Sequence, residues 1–539
     1  MKYLALAIAA LGGAQTVNAQ PTDIAAWRQD LRVIAEQVPA RHPNAFYRMS
    51  RSSWDSAVTS LDARLPRLTR NQAVVAFMQL VAMVNDGHTS INPLFDPALG
   101  LNYYPIELHL FDDGLYVKSA APAYASIVGA KVISIGTATA EEAIKRVATT
   151  VSHENDWFVR AWGPGHLSFA EILDGLGIAD ASQPLALVVE QNGRRETANL
   201  PVAGKFVPGG HNPTAGIPKT GWVDMRAGSS NPLWTKNPGM PYWSEYVRSD
   251  STLYVSYRGL ISMPRPTNQQ HWQSVFASVD SLPVNRLVID LRENPGGNSF
   301  FNRQVVRGIV ARPKIDQRGK LFVITSGRTF SAAMNLVLDL EAWTNATVVG
   351  EPTGNATVFY GDHVQVRLPV SGIAVNVSTL PWYPDDPRDV RSFVAPRVYA
   401  SMTAAQYRAG IDPAMNAILA RGTGPTLSAQ LERLVLTGDT IAAARLIAAE
   451  SAKPENRFAT PEAEVNTLGY RLLNSNRDAA ILVFTLNTRA FPQSGNTWDS
   501  LGEALADSGQ RDAAISAYRK ALEVSPGLPS AVSALQRLH

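Results

Sequence analysis

The apolar positions of this chain change rhythm several times. From Asp23 to Val84 they recur at helical spacing. Trp27, Leu31, Ile34 and Val38 make one face, Trp54, Val58 and Leu61 a second, and Asn71 to Val84 a third helix. Gly87 is a plausible stop for that helix, which places His88 on a loop just beyond it. From Asn102 to Ala203 the rhythm shortens to strand alternation. Tyr104 to Leu110 alternates, Asp113-Gly114 signals a hairpin, and Leu115-Tyr116-Val117 returns. Ala130 to Gly136 is a further strand, followed by a helix from Ala140 to Val147. Asn192-Gly193 joins Leu185–Glu190 to Glu196–Leu200, and a helical piece runs from Ser168 to Leu176. Lys205 to Asp250 is dense in Pro, Gly and Asn and reads as an irregular linker.

From Ser251 to about Leu419 short, wholly apolar runs end in turns. Leu287-Val288-Ile289-Asp290-Leu291-Arg292 breaks into Glu293-Asn294-Pro295-Gly296-Gly297. Leu321 to Thr325 breaks at Ser326-Gly327-Arg328-Thr329, and Phe330 to Leu338 then reads as a helix. Ala346 to Gly350 ends in Glu351-Pro352-Thr353-Gly354. Strand, turn and helix in repetition predict a layered α/β core with parallel strands. Sites in such sheets lie beyond the carboxyl ends of the strands, where Ser331 and Gly296-Gly297 fall. After Leu419 the chain is helical and repeats itself. Gly469 and Gly502, Ala480 and Ala514, and Pro492 and Pro526 recur at about 34 residues, the period of a tetratricopeptide unit. Leu427 to Ala449 fits a degenerate third unit.

Composition narrows the classes. The 539 residues carry a net charge of +3 with dispersed basic residues, which gives no nucleic-acid footprint. With no cysteine, thiol chemistry, disulfides and Cys-zinc sites are excluded. His-Glu-x-x-His is absent and the nine histidines are scattered, so neither a metal nor a cofactor is expected. Lys2, the apolar stretch Leu4 to Gly12 and Val17-Asn18-Ala19 have the three parts of a secretory signal, so residues 1–19 are expected to be removed on export to the periplasm or outside the cell. No later run is long enough for a membrane span.

Several motifs, in this order, carry a resemblance. Asp290 to Gly297 resembles the core motif of the tail-specific, or C-terminal processing, serine proteases and of the related tricorn core proteases. Phe330-Ser331-Ala332-Ala333 is similar to their nucleophile segment, Val349 to Gly354 to the segment after it, and Arg408 to Pro413 to the closing motif. Asp86-Gly87-His88-Thr89 resembles the histidine loop of the tricorn-like branch. Gly129 to Gly136 resembles the most typical part of a PDZ-like domain. The resemblance implies a multidomain α/β protein. With the leader (1–19) and the C-terminal repeat domain (423–539) read above, the expected layout is an N-terminal helical region (20–100), a PDZ-like β module (101–204), a linker (205–250) and a ββα-type protease core (251–422). The resemblance also implies peptide or protein substrates, and the repeats suit a protein partner. The lysine of the tail-specific Ser-Lys dyad is missing. Its turn reads Gly354-Asn355-Ala356-Thr357, and no lysine occurs between Lys320 and Lys453.

The chemistry that remains is Ser-His. A serine hydroxyl needs a neighbour to take its proton, and an imidazole with an unperturbed pKa of about 6.5 suits that task. Ser331 is the expected nucleophile and His88 the general base, with the N–H of Ala332 and of Gly296 or Gly297 as the oxyanion hole. A serine at a helix start ordinarily caps it, and a lone loop histidine is ordinarily structural; the motif context is what lifts both. Asp290 and Glu351 read as structural carboxylates. Asp385, Asp386 and Asp389 lie where a third triad member would be sought, without a local match to choose among them, and His363 is the alternative base. The competing class is a catalytically inert peptide- or partner-binding scaffold of the same fold.

Overall fold

The computed structural model describes residues 24–207, 219–226, 228, 229, 231–421 and 426–538. The expected leader lies outside them. None of the helices among them is long and apolar enough to cross a membrane.

The chain begins with α1 (Ile24–Arg41), α2 (Arg51–Arg64) and α3 (Arg70–Ala82). The stripe read from the sequence is the buried one: Trp27, Leu31, Ile34 and Val38 all face the core. Each such side chain contributes about 1.5–3 kcal/mol on burial. Thr69 and Gln72 form a capping box that starts α3. An antiparallel module follows: β1 (Ile106–Phe111), β2 (Gly114–Ala120), β3 (Lys131–Ile135), α4 (Ala140–Ala148), α5 (Asp156–His166), α6 (Ala170–Gly175), β4 (Leu185–Gln191) and β5 (Arg194–Leu200). Its strands lie in the order β1-β2-β3-β4-β5. Helix α5 was not visible in the sequence, because Gly163-Pro164-Gly165 near its end reads as a breaker.

The central sheet contains β6 (Tyr242–Val247), β7 (Thr252–Tyr257), β8 (Arg286–Asp290), β9 (Leu321–Thr325) and β10 (Thr347–Gly350). Around them lie α7 (Asn268–Ser281), α8 (Asn302–Val310) and α9 (Ala332–Trp343). A hairpin, β11 (Val364–Arg367) and β12 (Ala374–Val377), comes next, then β13 (Val398–Tyr399) and α10 (Pro413–Ala420). The sheet order is β6-β7-β8-β9-β10-β13. Its pairs are parallel from β7 onward, and β6 is antiparallel to β7. Strand β6 corrects the expected linker: Tyr242 and Trp243 are buried, and the core starts there, not at Ser251. The Pro and Gly density just upstream masked it. Leu287, Val288 and Ile289 are fully buried, as a wholly apolar strand covered on both faces requires.

The hairpin departs from the expected layout. Leu368, Ile373, Val375 and Val377 pack into the N-terminal core, not the central one. Asp30 in α1 accepts the N–H of Val370 and of Ser371, each at 2.9 Å.

The last region is helical, from α11 (Leu427–Leu436) and α12 (Thr440–Ser451) through α13 (Glu462–Leu473), α14 (Arg477–Ala490), α15 (Gly495–Asp507) and α16 (Arg511–Val524) to α17 (Pro529–Leu538). The repeated glycines have one physical cause. A Cβ on Gly469 would stand 2.5 Å from the Phe484 ring, and one on Gly502 would stand 2.8 Å from the Tyr518 ring. Phe458, between α12 and α13, packs edge-on against Trp157, Phe393 and Tyr399 at 5.4 to 6.0 Å.

Candidate active site

Ser331 ends the loop that leaves β9. Its backbone is at φ 56°, ψ −128°, a region a non-glycine residue seldom occupies, and its side chain makes no capping hydrogen bond to α9. The ordinary reason for a serine at a helix start is therefore missing. Such a conformation costs about 1–3 kcal/mol and persists only where its surroundings enforce it. Here the β8 turn does so. Phe330 N–H donates to Asn294 O at 3.1 Å, Thr329 Oγ1 to Leu291 O at 2.9 Å, and Ser326 Oγ to Arg292 O at 2.5 Å. Ser331 N–H itself donates to Asn355 Oδ1 at 2.5 Å.

The structure brings His88 to Ser331 across 243 residues of sequence: Nε2 lies 2.9 Å from Oγ. The ring stacks on Phe330 at 4.4 Å and on Phe359 at 5.9 Å. Burial pushes the imidazole below its ordinary value, Asp86 opposes the push, and His363 adds to it. His363 is thus a neighbour of His88.

Asp86 is fully buried and holds the His88 loop. Its Oδ2 accepts from Thr89 Oγ1 at 2.6 Å, Ser378 Oγ at 2.6 Å and His42 Nε2 at 3.2 Å. Its Oδ1 accepts the His88 N–H at 3.1 Å. His42 Nδ1 accepts the Asn44 N–H, so Nε2 carries the proton given to Asp86. Burial alone would raise the Asp86 carboxyl, but these hydrogen bonds and the charge of His88 outweigh it and hold the group below the usual carboxylate range. Asp86 Oδ1 also lies 4.0 Å from His88 Nδ1, and the backbone of Tyr360 offers the ring a hydrogen bond.

Glu154, from the loop before α5, spans both halves of the site. Its Oε1 accepts the Gly87 N–H at 3.0 Å, beside His88, and its Oε2 accepts Asn355 Nδ2 at 3.1 Å. Asn355 in turn holds Ser331. Burial first, and the charge of Asp86 next, push the Glu154 carboxyl up to about 8. Asp86, His88 and Glu154 have ligand-type atoms within 4.8 Å of one another. Hydrogen-bond donors already engage the oxygens of both carboxylates, an arrangement that suits a polar brace better than a cation. The sequence reading missed Glu154 altogether. Asn355 stands out in the sequence only as the residue in the lysine turn, and Asp86 only as part of the histidine motif.

The other candidates are placed as follows. Gly296 has φ 108°, and a Cβ there would come within 2.6 Å of Ser331 Cβ, so only glycine fits. Its N–H is donated to Asn294 Oδ1 at 2.9 Å. Gly297 is bridged to Leu260, and Ala332 opens α9. Asp290 accepts from Arg292 and from Tyr254 OH, and Arg292 forms a fork with Asp412 at 2.9 and 3.1 Å. The loop aspartates are engaged elsewhere: Asp385 by Trp343 Nε1, Asp386 by Arg388 and Asp389 by Arg391, each at 2.9 Å.

Among solved structures, a serine-to-alanine mutant of CPAF aligns with a TM-score of 0.54 at 12% identity, covering 75% of this chain and 99% of that one. Mature CPAF complexed with lactacystin aligns with a TM-score of 0.51 at 12% identity, over 73% and 97%. The fold is the one CPAF has. The photosystem II D1 C-terminal processing protease also matches, at 14% identity over 72% of this chain and 98% of that one, with a TM-score of 0.34. No protein-family model matches the chain, and no curated protein matches it.

Proposed function

We propose that this protein is an exported serine endopeptidase that cuts peptide bonds through an acyl-enzyme on Ser331, with His88 as general base. The observation that carries this reading is the 2.9 Å approach of His88 Nε2 to the hydroxyl of a serine held at φ 56°. His88 Nε2 takes the Oγ proton as Oγ attacks the peptide carbonyl. The amides of Gly297 and Ala332 stabilise the oxyanion; Gly296, whose N–H already serves Asn294, shapes the turn instead. The imidazolium gives its proton to the departing amine, and water then releases the acyl group. Asp86 is the nearest carboxylate to Nδ1 and steadies the imidazolium by charge at 4.0 Å. Glu154 and Asn355 are positioning residues that tie the two loops together.

In this reading the antiparallel module is PDZ-like and handles peptide substrate. The helical repeats are of the tetratricopeptide type and engage a protein partner. The rival reading of an inert peptide-binding scaffold is favoured by the missing dyad lysine, whose turn reads Gly354-Asn355-Ala356. The test is labelling of the purified protein by a fluorophosphonate probe, with the modified peptide mapped. Labelling on Ser331 supports the peptidase. A folded protein that takes no label on Ser331 is the scaffold.

A further inference from the structure

A cavity of about 120 Å³ lies at the carboxyl ends of β9 and β10 and is roofed by β1 and α5. Crevices at the carboxyl ends of parallel strands are where α/β sheets bind ligands. Neither Ser331 nor His88 is among the residues that line it, and the proposed peptidase chemistry makes no use of it.

Its lining is rich in cations. Lys118, Arg160, Arg292 and Arg328 line it, against Glu293 and Glu351. Arg292 is already held by Asp290 and Asp412, and Lys118 has Glu107 at 3.9 Å. Arg328 is different. Its Nε reaches Glu293 at 3.0 Å and its guanidinium lies 4.4 Å over the Trp162 ring, yet its Nη1 is buried with no hydrogen-bond partner. A buried guanidinium N–H left unpaired loses its hydration with nothing in return, and such a group calls for a missing acceptor. Lys118, Arg160 and Arg328 all line the cavity together with His109. The three cations therefore converge on one place. Burial raises the Glu351 carboxyl above its ordinary range. Much of the remaining wall is apolar, including Leu108, Phe111 and Ile324.

We infer that this cavity binds a carboxylate carried on an apolar body, with Arg328 as the hydrogen-bonding fork and Lys118 and Arg160 supplying charge. A planar guanidinium matches a carboxylate geometrically, and the apolar wall takes the body. Arg328 lies on the same loop as Ser331. An occupant would therefore bear directly on the segment that holds the serine in its strained conformation. The binding claim stands whether or not Ser331 is a nucleophile.

The chemistry has two sources, a free aliphatic acid or the carboxyl end of a peptide, and the test separates them. The full chain is titrated calorimetrically with hexanoate and with an acetylated dileucine acid, each beside its uncharged amide. At least one acid should bind at one site per chain, and its amide about tenfold or more weaker, the loss of one charge-assisted contact. The tighter acid identifies the source. Arg328→Gln should weaken the acid about tenfold or more while leaving amide binding unchanged. Should Arg328→Gln fail to fold, Arg160→Gln and Lys118→Met carry the same comparison. The proposal is overturned if acid and amide bind alike, if neither acid saturates by about 1 mM, or if folded charge-removing variants keep full affinity.

Discussion

The two halves of the site are held in different ways. Ser331 is held mainly from within its own sheet. The β8 turn next to it supplies Leu291, Arg292 and Asn294 as acceptors for the loop, and the price is a backbone strain of about 1–3 kcal/mol. His88 is held from far away. One buried carboxylate, Asp86, gathers donors from His42 at the end of α1, from its own loop, and from Ser378 just after β12. Ser331 is thus preset by local topology, whereas His88 is placed by distant segments gathered around charges that titrate. Glu154 is the joint between them.

The comparison can be broken most sharply at the serine. Ser331→Ala is expected to lower acylation by a factor on the order of 10⁴ or more and to abolish probe labelling, with the melting temperature unchanged. Ser331→Gly should be equally inactive yet more stable by about 1 kcal/mol in urea denaturation, because glycine tolerates φ 56°. Undiminished hydrolysis by either variant would remove Ser331 from the mechanism.

Next comes His88. His88→Ala should slow acylation on the order of a thousandfold, read as single-turnover rate. Adding Asn355→Lys should not rescue it, since the new side chain also removes the Ser331-to-Glu154 link. In the wild type the neutral imidazole is the active form, and burial favours that form. Activity should therefore rise with pH along one limb whose midpoint lies below the ordinary imidazole value of about 6.5. A midpoint above that value would mean that the titrating group is not this histidine.

Asp86→Ala tests the assembled half. It leaves donors on His42, Thr89 and Ser378 buried and unpaired, and should cost about 3 kcal/mol of stability or more by urea denaturation. A loss within the range of a surface substitution, about 0.5 kcal/mol, would show that the loop is held some other way.

The smallest effect belongs to the joint. The Glu154 carboxyl is raised from 4.5 to about 8, so the folded protein keeps a proton that the unfolded chain has released. Its contribution to stability is complete below 4.5 and is lost as pH rises towards about 8. Glu154→Gln has no proton to lose. Its stability relative to the wild type should rise between pH 5 and pH 8, by up to about 3 kcal/mol. Identical pH slopes for the two proteins would place the joint elsewhere.

Parts of this were legible from residues alone. Leu287–Ile289 and Leu321–Thr325 announced buried strands because no polar side chain interrupts them, and the turns after them followed from Pro295, Gly296 and Gly297. Trp27, Leu31, Ile34 and Val38 named their own buried face. Strand β6 was hidden by the composition next to it. Glu154 carried no signal at all, since a single glutamate on a loop is ordinary until the loops around it are placed. The repeat period was plain, and the ring contacts of Gly469 and Gly502 supply its cause.

The sequence by itself determined the strand-turn-helix order, the strand-end position of Ser331 and Gly296-Gly297, the loop position of His88 and the period of the C-terminal helices. Periodicity records which side of an element is buried, and that is a local property of each element. Only the tertiary structure decided that His88 reaches Ser331, that the β11–β12 hairpin packs on the N-terminal core, and that Asp86 and Glu154 hold the site where Asp385, Asp386 and Asp389 do not. Those outcomes depend on distances between loops, which are set by how whole elements pack, and no spacing along the chain encodes them.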